Sequence, residues 1–423
     1  MRILFTAIAF SLTLSTFEQK NNYDLVINNI NLVDVNTGKT TPATNVYIKN
    51  GIAEITNKMI KIPAPKKQIN GTGKYFMPAL YDMHVHFPEQ NAERFFQLQT
   101  AAGITNCRIM KSIKETVAFS KTAKNIPAMK ISYNFFGNET YKIDSIPLII
   151  KSLKGKGYDF IKVFGVKNEA YFDAIMSSAK ASNIMVCGHA LGKALLAKKV
   201  LESGYKSIEH VGYFDKAKTP EALDSLIDLA VKNNVYVCPT LDWVTMAYQA
   251  VNKDSFQYRA GYAIGTKLYG IEWDTTYTNN TKQLGGQAKQ YKDFADKDIA
   301  KKLAILAKMR AKGVKIIAGS DAEEPYQTPG FSLLDELKLI QKAGFTNAEL
   351  LQMVTTNASE LYRFEPNPNP IKVNKRMDLE LGKGFYILLS KNPLNNISNL
   401  ESVEYVIKGN EVIDTKKLLE SIK

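Results

Sequence analysis

Histidine is nearly missing from this chain, with four in 423 residues. Cysteine is scarcer, with three, and tryptophan scarcest, with two. So few cysteines, and an odd number of them, exclude a dense disulfide framework. Cys107, Cys187 and Cys238 each sit in an apolar run, where a small core residue is expected. Long hydrophobic stretches are missing beyond the first residues. After Leu14 no apolar run approaches the roughly 20 residues that span a bilayer, so no membrane anchor is expected there. Arginine-rich runs and basic stripes interleaved with aromatics are also lacking. The formal charge of +14 comes from abundant lysine. A solvated Lys-rich surface is expected from it, and no nucleic-acid partner.

The start of the chain differs from the rest. Met1-Arg2 precedes an apolar and small run from Ile3 to Leu14, then Ser15-Thr16-Phe17. A short positive start, an apolar core and small residues behind it read as a secretory signal peptide over 1–19. Export, to the periplasm or the medium, is the expectation. The alternative is a buried N-terminal strand.

Residues 20–73 carry short alternating segments separated by turn-rich pieces such as Asn36-Thr-Gly-Lys39, the text of a small β-unit. From 74 to 365 apolar strands alternate with amphipathic helical stretches. The helix-to-strand joins repeat one punctuation: Gly103, Gly157, Gly204 and Gly313, with Asn183 and Asn234 in matching places. Gly or Asn just past a helix supplies a left-handed C-cap. Strands are expected at 80–86, 104–110, 127–133, 158–164, 184–187, 205–211, 235–238 and 314–319. Eight such units imply an α/β fold, a closed (β/α)8 TIM-type barrel. An open doubly wound sheet would want a Gly-rich phosphate turn after its first strand, where this chain has His84-Val-His-Phe-Pro88. Residues 366–423 return to β-like text. A small β-sandwich domain built from both chain ends, with the barrel inserted between, is the simplest arrangement. Residues 242–300 break the barrel's spacing and hold both tryptophans, Trp243 and Trp273. They are read either as a lid over the functional face or as a helical excursion with its own core.

The four histidines carry the chemistry. His84 and His86 end the first barrel strand and, two residues apart, share a face. His189 follows strand five and His210 ends strand six, so every histidine lies at the C-terminal end of a strand, where barrel active sites are built. Neutral imidazole suits zinc and similar divalent ions. Asp321, at the end of strand eight, can be ligand and general base together, or a helix N-cap. Lys162 stands between Ile161 and Val163 in strand four. A buried ammonium there is costly unless paired or neutralised, and burial lowers its pKa. Its alternative is a buried stem with the ammonium reaching solvent or a carboxylate. Arg108 could pair with a substrate carboxylate or form a salt bridge inside the barrel. Tyr213, Glu324 and Tyr326, close behind His210 and Asp321, are expected to line the mouth.

The stretch Met77-Pro-Ala-Leu-Tyr-Asp-Met-His-Val-His86 resembles the first-strand signature of the metal-dependent amidohydrolase superfamily. The order His-x-His, Lys, His, His, Asp is similar to its binuclear arrangement, and the resemblance covers nearly all of the chain after residue 19. Gly319-Ser-Asp-Ala322, Leu334-Asp-Glu-Leu337 and the closing Gly382-Lys383 with Asn392-Pro-Leu394 fit it too. Ala79 stands where the family usually has Gly after Met-Pro, and Gly384-Phe385 where Ala-Asp is common. The strand Phe160-Ile-Lys-Val163 resembles the branch of imidazolonepropionase-like proteins and Xaa-Pro or Xaa-Arg dipeptidases.

The resemblance implies two divalent ions, with zinc expected, bridged by a CO2-derived carbamate on Lys162. His84, His86 and Asp321 would hold the more buried ion, and His189 and His210 the more exposed one. A hydroxide between the ions would attack, and Asp321 would carry its proton to the leaving nitrogen. The expected enzyme cleaves an amide-type C–N bond in a small molecule: a dipeptide, an N-acyl amino acid or a cyclic amide. A lactonase or ester hydrolase on the same site and a non-catalytic metal-binding barrel are the alternatives, and assembly into homo-oligomers stays open.

Overall fold

Alternating apolar residues open the described chain as strands. β1 (Leu25–Asp34), β2 (Lys39–Lys49) and β3 (Ile52–Thr56) form an antiparallel meander, and β4 (Lys67–Asn70) and β5 (Tyr75–Pro78) lie parallel to β1. The structure, a computed structural model, describes residues 23–49, 51–56, 65–138, 141–191, 194–247, 253–363 and 385–422. The expected export signal at 1–19, the expected domain boundary at 365–366 and the Gly382-Lys383-Gly384 stretch lie outside them.

The text then switches to strand–helix alternation. β6 (Leu80–His86), β7 (Ile104–Lys111), β8 (Ala128–Phe135), β9 (Phe160–Val163), β10 (Met185–Gly188), β11 (Ser207–Glu209) and β12 (Tyr236–Cys238) make one parallel sheet in chain order. All six punctuating residues, Gly103, Gly157, Asn183, Gly204, Asn234 and Gly313, have the positive φ that their place behind a helix requires. Closure comes from the eighth expected strand, which pairs without building a regular ladder. Ile317 N donates to Val237 O at 3.0 Å and Val237 N to Lys315 O at 3.1 Å. On the other side Met83 N donates to Ala318 O at 3.0 Å and Asp321 N to His84 O at 2.9 Å.

Both ends of the chain share the remaining sheet. β13 (Phe385–Leu389) pairs antiparallel with β5, β14 (Val403–Lys408) with β13, and β15 (Glu411–Asp414) with β14. Leu25, Ile27, Val46, Ile48, Phe76 and Leu388 belong to its separate apolar core.

Strand alternation decides what enters the barrel. On β9, Ile161 and Val163 join the main core, whereas Phe160 packs with Met110 and Cys187. Lys162 shares the face of Phe160 by the two-residue period. On β6 the pairing with β7 slips between Asp82 and Val85. Such an irregularity re-aims side chains. Tyr81 and Met83 pack with Tyr236, Cys238 and Ile317, and His84 and His86 follow at the strand's upper end.

The long insertion is helical: Leu241–Ala247, a 3-10 segment Lys253–Tyr258, then Tyr262–Leu284 and Ala288–Lys312. It has its own apolar cluster of Met246, Phe256 and Trp273, which Tyr326 joins from the loop after strand eight.

Gly319 sets how closely strand eight approaches β6. A Cβ there would lie 2.4 Å from both N and Cβ of His84, so any side chain forces the two strands apart. Gly319→Ala should lower unfolding stability by about 1–3 kcal/mol or more, read as the denaturant midpoint. Gly155→Ala, whose Cβ would meet nothing within 4 Å, is the control and should shift it little.

Candidate metal centre

The upper end of the barrel gathers all four histidines, and each is set by a neighbour. His84 is fully buried, and its Nδ1 lies 2.8 Å from Glu209 Oε2. His86 Nδ1 pairs with the Glu323 carboxylate. His210 Nδ1 lies 2.5 Å from Thr240 Oγ1, and its Nε2 lies 3.1 Å from His189 Nε2. An imidazole whose Nδ1 is engaged offers Nε2 to a ligand, the usual arrangement around a metal-binding histidine. His84 and His86 are fixed this way, whereas His210 Nε2 faces His189.

Asp321 faces them. Its Oδ1 lies 3.6 Å from Nε2 of both His84 and His86, and its Oδ2 lies 3.8 Å from His210 Nδ1. His210, Val211, Thr240 and Asp321 all carry positive φ. These non-glycine residues are held in a sparsely populated conformation, which packing must maintain.

Lys162 completes the ring from below. It is fully buried, and its Nζ lies 4.8 Å from the centroid of the Phe164 ring. That ring meets His189 edge-on at 4.9 Å and stacks on Phe136 at 4.8 Å.

Burial dominates the electrostatics. It drives the pKa of His84 well below the usual imidazole value, with Lys162 adding to it, and lowers His86 and His210 similarly. His189 is pushed down to about 3, by burial and then Lys162. The four rings are therefore neutral, the form that binds metal. Burial also lowers Lys162 and raises Asp321. His84 Nε2, His86 Nε2, Lys162 Nζ and Asp321 Oδ1 are all buried without a hydrogen-bond partner. Each such atom costs about 1–3 kcal/mol. Four converging on one space fit cations, which would satisfy the imidazoles and carboxylate directly and the lysine through a carbamate.

Beneath this layer lies a residue the motif reading passed over. Glu209 is buried and accepts from Arg108 Nη2 at 2.9 and 3.2 Å and from Ser207 Oγ at 2.6 Å, besides facing His84. Burial would raise its pKa, but Arg108, Lys162 and Ser207 outweigh that and hold it down. Arg108 is fully buried and also donates to Met83 O at 2.7 Å and Ser207 Oγ at 2.8 Å. Its place is the salt bridge inside the barrel, not the substrate mouth. Glu323 and Thr240 were passed over as well. A signal for Glu209 existed: a carboxylate beside an apolar residue on a short barrel strand raises the same question as Lys162.

The expected mouth residues divide. Glu324 lines a cavity of about 410 Å³ together with His86, Phe87, Lys111, Glu323 and Trp273. Tyr213 is buried, and its hydroxyl accepts from Leu191 N at 2.6 Å, tying down the loop behind His189. Tyr326 stacks on Phe256 at 4.2 Å inside the insertion's core, and its hydroxyl donates to the exposed Asp274 carboxylate. Neither tyrosine lines that cavity. The insertion has its own core, and it also reaches the site, with Trp243 5.7 Å from the His210 ring and Trp273 on the cavity wall.

Comparison with known proteins places the fold and the family. A dihydroorotase from Trichlorobacter lovleyi is 25% identical over 186 residues, which span 39% of this chain and 42% of that relative. Among solved structures, a Xaa-Pro dipeptidase with methionine bound in its active site shares the fold with a TM-score of 0.64 and 20% identity. That match covers 92% of this chain and 99% of that one. Molinate hydrolase matches at 0.65 and 14% over 94% and 96% of the two chains. An ochratoxinase from A. niger matches at 0.62 and 15% over 92% and 95%. A sequence model described as the amidohydrolase family matches residues 75–415, from β5 through the whole barrel to β15, and the chain belongs to that family.

Proposed function

We propose that this protein is an exported metal-dependent hydrolase that cleaves an amide-type C–N bond in a small molecule. The observation that carries the reading is the convergence of four buried, unpartnered polar atoms from His84, His86, Lys162 and Asp321 at the C-terminal end of the barrel. Export rests on residues 1–19 alone.

His84, His86 and Asp321 would hold the more buried of two divalent ions, and His189 and His210 the more exposed one. Lys162, carboxylated by CO2, would bridge them. An imidazole-rich set of this kind suits zinc. Bound there, the ions would supply Lewis acidity and would lower the pKa of a water held at the site towards neutrality.

The chain's own residues then divide the work. Asp321, whose backbone N–H is tied to His84 O, accepts the proton of the attacking water on its carboxylate and returns it to the leaving nitrogen. An amide needs that transfer, because nitrogen leaves poorly as an anion. Glu209 and Glu323 keep the first two imidazoles in the tautomer that presents Nε2. The cavity beside His86 receives the substrate between Trp273 and Phe87. Dipeptides stand first among substrates because a Xaa-Pro dipeptidase shares the fold over nearly the whole chain; N-acyl amino acids and cyclic amides follow.

Two measurements test this. Chelation should abolish turnover of a dipeptide panel, and zinc or manganese should restore it, with about two ions per chain by elemental analysis and a carbamate signal on Lys162 in 13C-bicarbonate. Asp321→Asn should then lower amide turnover by about 10²–10⁴-fold while sparing a lactone or activated ester by comparison. Turnover unchanged after metal removal would sink the proposal. Preferred lactone turnover with little dependence on Asp321 would move it to an ester hydrolase.

Glu209→Gln addresses the layer beneath. It leaves Arg108 without its charge partner, so stability should fall by about 3–5 kcal/mol. Zinc affinity should fall by about 10–100-fold, because His84 loses its anchor. Chemical denaturation and chelator competition read the two effects separately.

A further inference from the structure

The loop after strand eight carries Asp321 and Glu323, and it is held from behind by the helical insertion. We propose that Gln327 is the positioning residue of this arrangement: it joins the insertion to the loop and so fixes Glu323 against His86. The inference rests on the metal-centre reading above.

Gln327 is 2% exposed. Its Oε1 accepts from two successive backbone amides, Glu323 N at 3.2 Å and Glu324 N at 3.0 Å, and its Nε2 donates to Asp242 Oδ2 at 2.7 Å. The orientation of the amide is forced, because backbone N–H groups need an acceptor and a carboxylate needs a donor. Asp242, 1% exposed, comes from the first helix of the insertion, Leu241–Ala247. It also accepts from Arg259 Nη2 at 2.7 Å. Arg259 in turn donates from Nε to Tyr326 O at 2.9 Å and reaches Asp335 Oδ2 at 3.3 Å. The backbone of the loop is therefore gripped at 323, 324 and 326 by groups of the insertion or bound to it. In a dry setting such tethers are strong and sharply directional.

The consequence runs to the site. Fixing the amide of Glu323 aims its carboxylate at His86 Nδ1, which leaves Nε2 facing Asp321. Asp321 itself is held at φ 46°, a conformation that relaxes unless its surroundings enforce it. Glutamine suits the position because one planar group must accept twice and donate once. Glutamate would set a carboxylate against Asp242, and methionine of similar length would make none of these bonds.

The test uses the full chain with zinc as the probe. Zinc affinity is measured by competition with a chromophoric chelator, and amide exchange over 321–328 is measured in the metal-free protein. Q327M should bind zinc about 10-fold or more weakly, exchange faster over 321–328, and lose kcat more than it raises KM. Q327E should be worse. Parent-like affinity and exchange in Q327M would overturn the inference, as would a Q327E variant that binds zinc better than Q327M. A parent chain that takes up no zinc overturns the metal-centre reading instead, and loop exchange in Q327M then decides on Gln327 alone.

Discussion

Glu209 stands at the bottom of the site with three donors around it: the Arg108 guanidinium, the Ser207 hydroxyl and the His84 ring. All four groups are buried. A buried ion pair is a poor stabiliser compared with apolar residues of the same volume, so stability does not account for this one. What it supplies is a fixed, charged acceptor at a depth that water does not reach. Arg108 keeps Glu209 ionised, Glu209 keeps the His84 Nδ1 proton, and His84 Nε2 is thereby turned to the centre. The ligand layer inherits its geometry from the layer below.

The same dryness explains why four histidines and a lysine can stand so close. In water their mutual repulsion would be screened; inside the barrel it adds to burial and drives each imidazole to the neutral state. Neutral rings with unpartnered nitrogens are costly in the folded chain. Sites assembled this way are stabilised by whatever binds them. Positive φ at His210, Val211, Thr240 and Asp321 points the same way, since barrel packing and strand pairing hold backbone conformations that these residues would not choose alone.

Much of this was legible in the chain. The six glycine and asparagine joins located the barrel units because left-handed caps demand few residue types. Four histidines placed at strand ends pointed to one face of the barrel, and the structure brings all four together there. Arg108 and Tyr326 were not legible in the same way. Which side of a barrel wall a guanidinium meets depends on a partner 101 residues later, and Tyr326 was drawn to a core built by the insertion, whose packing no local period announces. Glu209 was missed for a related reason. Next to His210 it reads as an ordinary strand carboxylate, and its role follows only from the closure that brings β11 beneath β6. The closing segment itself was found, but not its irregularity, which follows from the close approach of Gly319 to His84.

That irregularity bears on how the two halves of the site communicate. A regular eighth strand would fix Asp321 through its own ladder. Here Asp321 has one backbone bond to His84, and the residues after it turn away into the insertion's territory. Tyr326 lies against Phe256 and Trp273, and Trp273 forms part of the cavity wall. The wall of that cavity and the loop that follows Asp321 therefore share one apolar cluster. Changing the insertion would disturb the position of Asp321 unless the contacts of Asp242 with Gln327 and Arg259 are kept, because the core behind the cavity also supports the loop that follows Asp321.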